Sequence, residues 1–96
     1  MVMRIQVDRG AFERVVQSRG DDMKAISERA QAKGAIRHAF FAGDGEVLIV
    51  DEWDQPESFL AFFEEEGPNI GPLMAESGAQ PGQPQFYEKL EGPDVF

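Results

Sequence analysis

The sequence predicts an α+β fold in which a four-stranded antiparallel sheet carries helices on one face. Three observations predict it. Segments of period two, the mark of a strand, alternate with segments whose apolar residues recur at three and four, the mark of a helix. Gly43-Asp44-Gly45 lies between two apolar runs and reads as a hairpin turn. The 96 residues have room for one hydrophobic core, so all elements belong to one domain spanning 1–96.

Residues 2–8 alternate Val2, Arg4, Gln6 and Asp8 against Met3, Ile5 and Val7, which is a strand. Phe12, Val15 and Val16 then form a short helical stripe that ends near Gly20. Asp21 is the expected cap of a second helix, with Met23, Ile26 and Ala30 on its apolar face and Gly34 closing it. Residues 35–41 read as a strand, and residues 46–53 as the strongest strand of the chain. Leu48 and Val50 face one way on it, and Val47, Ile49 and Trp53 the other, so both of its faces need cover. Asp54 is the expected cap of the next helix, with Glu57 three residues on as in a capping box. Phe59, Leu60, Phe62 and Phe63 give that helix a wide apolar face. Glu64-Glu65-Glu66 and Gly67-Pro68 are expected to end it, with another short helix from Pro72. Residues 78–84 read as a loop and residues 85–91 as the last strand.

This order is βαββαβ, the ferredoxin-like arrangement. Helices cover one sheet face only, and apolar residues of 46–53 must lie on the other. A bare apolar face is expected to bind a partner, and a second copy related by a two-fold axis is the commonest one. The expected assembly is therefore a homodimer through the open sheet face.

Composition removes several classes of function. The chain has no cysteine and one histidine, which is too few ligands for an ordinary zinc site and leaves no disulfide or thiol chemistry. It has no glycine-rich phosphate loop, no Ca²⁺-loop spacing and no nucleophile elbow, so no cofactor is expected. The net charge is −9, which repels phosphate backbones and anionic headgroups, so neither nucleic acid nor membrane is an expected partner. No export signal is visible, and the cytoplasm is the expected location. The charge is uneven. Residues 1–42 hold eight bases and five acids, and residues 43–96 hold one base and thirteen acids. This describes two faces of one solvated surface, or the basic half of one copy docking on the acidic half of another.

Val50-Asp51-Glu52-Trp53-Asp54-Gln55-Pro56-Glu57-Ser58-Phe59 resembles the strand-to-helix junction of the antibiotic-biosynthesis-monooxygenase-like family. That pattern is an acid, an aromatic residue closing the strand, a cap and an aromatic-rich helix. The resemblance implies a dimeric α/β barrel with a pocket in each subunit. It implies cofactor-independent oxygenase chemistry on an aromatic or polyketide-like substrate. The chain departs from the family in two places. Leu60-Ala61-Phe62-Phe63 stands where many members carry a helical histidine, and residues 1–8 lack the asparagine of the haem-degrading branch.

The candidate residues follow from the elements. Histidine is the side chain suited to general-base work near neutral pH, and His38, the only one in the chain, is the candidate base. It shares a strand face with Phe40 and Ile36. Trp53 and Phe40 are candidate aromatic walls for a small hydrophobic or aromatic ligand. Asp51 points to the same side as Trp53, and a carboxylate there needs a partner, for which Arg37 is the candidate. Tyr87, in the expected last strand, is a candidate orienter. The competing reading is a non-catalytic binding or protein-interaction module, with a structural His38 and Glu64, Glu65 and Glu66 as its acidic patch.

Overall fold

A computed structural model describes all 96 residues. The elements are β1 (Val2–Gln6), α1 (Arg9–Ser18), α2 (Gly20–Ala32), β2 (Ala35–Gly43), β3 (Glu46–Trp53), α3 (Pro56–Ser77) and β4 (Gln80–Pro81). The sheet order is β2-β3-β1-β4 and each neighbouring pair is antiparallel. This is the ferredoxin-like α+β arrangement expected from the order of elements, as an open sheet.

The chain leaves β1 because Asp8 caps α1, its carboxylate accepting the Ala11 N–H at 2.9 Å. A single residue, Arg19, joins α1 to α2, and no side chain caps α2. Asp21 is therefore not the cap. It lies with Asp22 in the first turn, where a negative charge suits the helix dipole. Asp54 does not cap α3 either. Gln55 holds that position, and the Asp54 N–H donates to the Gly34 carbonyl at 2.9 Å.

The largest departure from expectation is α3. It runs unbroken through Pro68 and Pro72, where a stop and a second helix were expected. The two prolines withdraw the amide donors that would pair with the carbonyls of Glu64 and Pro68. Tertiary contacts hold the helix across that gap. Glu66 is buried and bound to Arg29 of α2 at 2.5 and 3.0 Å, and Lys33 bonds Glu65. Glu64-Glu65-Glu66 is thus the middle of a helix clamped to its neighbour, not a frayed acidic terminus.

The last strand is also displaced. Residues 85–91 do not form it. The edge strand comes from the segment expected as a loop, with Pro81 opposite Ile5 and Gln80 opposite Gln6. Gly82 donates to the Arg4 carbonyl, and Val2 and Gln85 exchange both backbone bonds, all at 2.8 Å. Proline is tolerated here because an edge strand can turn its donor-free side outward. A Cβ on Gly82 would stand 2.8 Å from the Arg4 oxygen, so only glycine allows this approach.

The sheet has two unlike faces. Met3, Ile5 and Val47 turn toward the helices and are almost fully buried. Arg4, Leu48, Val50 and Glu52 alternate with these residues and lie on the open face. The charge asymmetry is met inside the chain, since Arg4–Glu46, Arg19–Glu76, Arg29–Glu66, Lys33–Glu65 and Arg37–Glu52 each join the basic first half to the acidic second half. No helix is long and apolar enough to cross a membrane.

Candidate functional site

Only ten residues are buried, and the core is split into two small clusters. The reason is a cavity of about 420 Å³ between the sheet and the helices. Its wall is mainly apolar. Met3, Ile5 and Ile49 form the floor, Met23 and Ile26 of α2 one side, and Phe59 and Phe62 of α3 the other. No residue of α2 is itself buried, so its apolar stripe faces the cavity instead of a packed core.

His38, Asp51 and Trp53 meet on this wall. The two-residue turn after Gly43 sets Gly43 opposite Glu46, and counting back along the hairpin brings His38 opposite Asp51. His38 Nδ1 lies 2.6 Å from Asp51 Oδ1. Two residues further along the same strand face, Trp53 Nε1–H donates to Asp51 Oδ2 at 3.1 Å. The Asp51 side chain is 7% exposed and that of His38 is 42% exposed. The carboxylate is thus sunk in the wall with a partner on each oxygen, while the imidazole reaches solvent at the rim.

Aromatic rings frame this group. Phe40 meets His38 edge-on with centroids 4.7 Å apart, and meets Phe12 of α1 at 5.1 Å. Trp53 packs on Phe59 at 5.6 Å and on Phe62 at 5.3 Å. Such edge and tilted contacts fix ring orientation as well as burying area.

The structure therefore gathers His38, Asp51, Trp53 and Phe40. Of the other two candidates, Arg37 lies at the rim of the same cavity and Tyr87 lies outside it. Arg37 is not the partner of Asp51. It pairs with Glu52 at 3.7 Å and its side chain is 77% exposed at the rim. The hairpin register that sets His38 opposite Asp51 was the signal that could have excluded Arg37. A bulge between Ala35 and Arg37 also takes Ile36 out of the regular alternation with His38, and Ile36 is exposed. Tyr87 stands apart from the cavity because no strand forms at 85–91. It is 70% exposed and donates its hydroxyl to Gln85.

The sequence did not reveal the role of Glu66. The Arg29 guanidinium and the Asn69 amide hold its carboxyl at about 2, well below the usual carboxylate range. With Lys33–Glu65, this pair fastens α2 over the cavity.

No protein-family model matches the chain, and no curated protein sequence matches it. Solved structures similar to the chain include SnoaB and MupZ. SnoaB from Streptomyces nogalater, a cofactor-independent oxygenase, superimposes with a TM-score of 0.52 and 19% identity, over 95% of this chain and 94% of SnoaB. MupZ from Pseudomonas fluorescens superimposes with a TM-score of 0.49 and 13% identity, over 82% of this chain. The chain spans 62% of MupZ. The likeness to SnoaB shows the fold alone, which is the α+β arrangement expected from the order of elements and from the Val50–Phe59 junction.

Proposed function

We propose that the chain is a homodimeric protein that binds a small aromatic or polyketide-like molecule between sheet and helices and acts on it as a cofactor-independent oxygenase. The observation that carries this reading is the apolar cavity of about 420 Å³ with one imidazole–carboxylate pair in its wall. A site built this way encloses the apolar body of a ligand and addresses one polar atom. His38 is the base. Taking a proton from a phenolic or enolic O–H leaves an electron-rich anion, the form of such molecules that reacts with oxygen. Trp53, Phe40 and Phe59 hold the ring system and keep water from it. The activity of SnoaB, on the same fold, supports the reaction class.

The homodimer is supported by the open sheet face. Leu48 and Val50 lie there, and Phe41 on β2 is 56% exposed. The acidic docking alternative is weakened by Glu65 and Glu66, which are already bound to Lys33 and Arg29.

Two measurements test this reading. Native mass spectrometry beside a denatured control should give a mass near twice 10.7 kDa. Oxygen uptake should then be followed with a panel of phenols and quinols, for the wild type and His38→Ala. Uptake lost in the variant with its dimer intact supports the assignment. Equal uptake by both proteins, or none with any phenol that binds, overturns it.

A further inference from the structure

We infer that Asp51 is a positioning residue that fixes which nitrogen of His38 carries the proton, so that the cavity wall offers a hydrogen-bond acceptor and selects ligands bearing an O–H or N–H donor. This deepens the reading of the cavity as a ligand site and rests on it for the ligand, but not for the state of the histidine.

A neutral imidazole has one donor nitrogen and one acceptor nitrogen, and the bond made by one fixes the role of the other. A carboxylate only accepts. Asp51 Oδ1 lies 2.6 Å from His38 Nδ1, so the proton belongs on Nδ1. The carboxylate is held in that role, because its second oxygen accepts from Trp53 Nε1–H at 3.1 Å and its side chain is 7% exposed. The ring is held too, edge-on to Phe40 with planes at 80°. Nε2 makes no bond within the protein and is left as the acceptor.

The rest of the wall offers the ligand little competition. No buried side-chain nitrogen or oxygen lacks a partner. Ser77 donates to the Met74 carbonyl, Arg37 is engaged by Glu52, and Ser27 of α2 is the one other hydroxyl in the wall. Lys24 and Gln31 lie on the exposed side of α2. A molecule whose polar atom meets Nε2 must therefore donate to it. The same arrangement stabilises the imidazolium formed once that proton is taken, since its Nδ1–H already points at a carboxylate.

His38 is the only histidine and Trp53 the only tryptophan, so each probe reports one site. ¹⁵N shifts of histidine-labelled protein, followed through an alkaline pH series, distinguish the two neutral tautomers. The wild type should show a protonated Nδ1 and an unprotonated Nε2. A dominant Nε2–H form overturns the role of Asp51 with no variant needed. In Asp51→Asn, one amide oxygen must serve Trp53, and the amide NH₂ then faces Nδ1. The Nε2–H form should rise, and unchanged shifts would refute the inference.

Binding of 1-naphthol and of its methyl ether, read by quenching of Trp53 fluorescence, tests selection. The wild type should prefer the naphthol about three- to tenfold, the worth of one hydrogen bond. Asp51→Asn should lose that preference while still binding the ether. Equal binding of both probes by the wild type overturns the selection, and failure of both to bind overturns the cavity reading while the nitrogen shifts still decide the role of Asp51.

Discussion

Replacing Gly34 with alanine should destabilise the domain through its backbone, and the structure allows the size to be worked out. Gly34 joins α2 to β2 with φ at +118°, a region that L-residues rarely adopt. Holding alanine there costs about 1–3 kcal/mol, offset by about 0.4–1 kcal/mol from the smaller freedom of the unfolded chain. A new Cβ would also lie 2.5–2.7 Å from the Asp54 carboxylate. That side chain is exposed and can swing away, so the clash adds little. The net loss is about 1–2 kcal/mol, or a fall in Tm of about 4–16 °C for a domain of this size. Thermal unfolding followed by circular dichroism would measure it. Gly20→Ala is the control, since Gly20 has no positive φ and open space around its Cβ, and it should raise Tm slightly. The double variant with Asp54→Ala separates the two causes. If removing the carboxylate restored full stability, or if Gly34→Ala alone left Tm unchanged, the backbone argument would be refuted.

Acid should loosen α2 before the sheet. The folded pKa of Glu66 lies at about 2 against an ordinary 4.5, so its contribution is complete above the ordinary value and is lost as pH falls through that window. Glu66→Gln should flatten the dependence of Tm on pH between those limits, and a parallel decline in both proteins would count against it. Phe59→Ala, at a side chain 4% exposed between Met3 and Trp53, should cost about 3–5 kcal/mol in urea unfolding with little change in slope, and a loss below about 1 kcal/mol would show that the cavity had already relaxed around it. Leu48→Lys should reduce the native mass from dimer to monomer with circular dichroism unchanged, whereas a persistent dimer would move the interface off the open face.

The parts of the fold that were legible in the sequence are those set by local chemistry. Asp44-Gly45 fixed the hairpin, alternation fixed β3 to the residue, and Gly34 marked the end of α2. The misreadings came from tertiary contacts overriding local signals. Pro68 reads as a breaker, yet Arg29, 37 residues from Glu66 in sequence, holds that glutamate in a helix that runs past the proline. The proline-rich stretch after Gly78 reads as a loop, yet β1 offers an edge whose bonds need few donors from its neighbour. For the candidate site, residue types pointed to His38, Asp51 and Trp53, and their meeting followed from the hairpin register. Arg37 has the charge to pair with Asp51, but counting from the turn sets it opposite Glu52. The Arg29–Glu66 clamp had no local signal, because nothing near either residue in sequence names the other.

The donor-poor edge strand has a consequence for how this sheet meets other chains. Exposed sheet edges are templates on which further strands add, in specific pairing and in aggregation alike. One edge here is closed to such growth. Pro81 and Pro84 have no N–H to offer, and Gly82 spends its own on Arg4. The opposite edge, β2, is a nine-residue strand interrupted by a single bulge near its start. Growth of the sheet is therefore one-directional. Any strand that joins it, from another copy or from an unfolded chain, must enter beside β2, on the strand that carries His38.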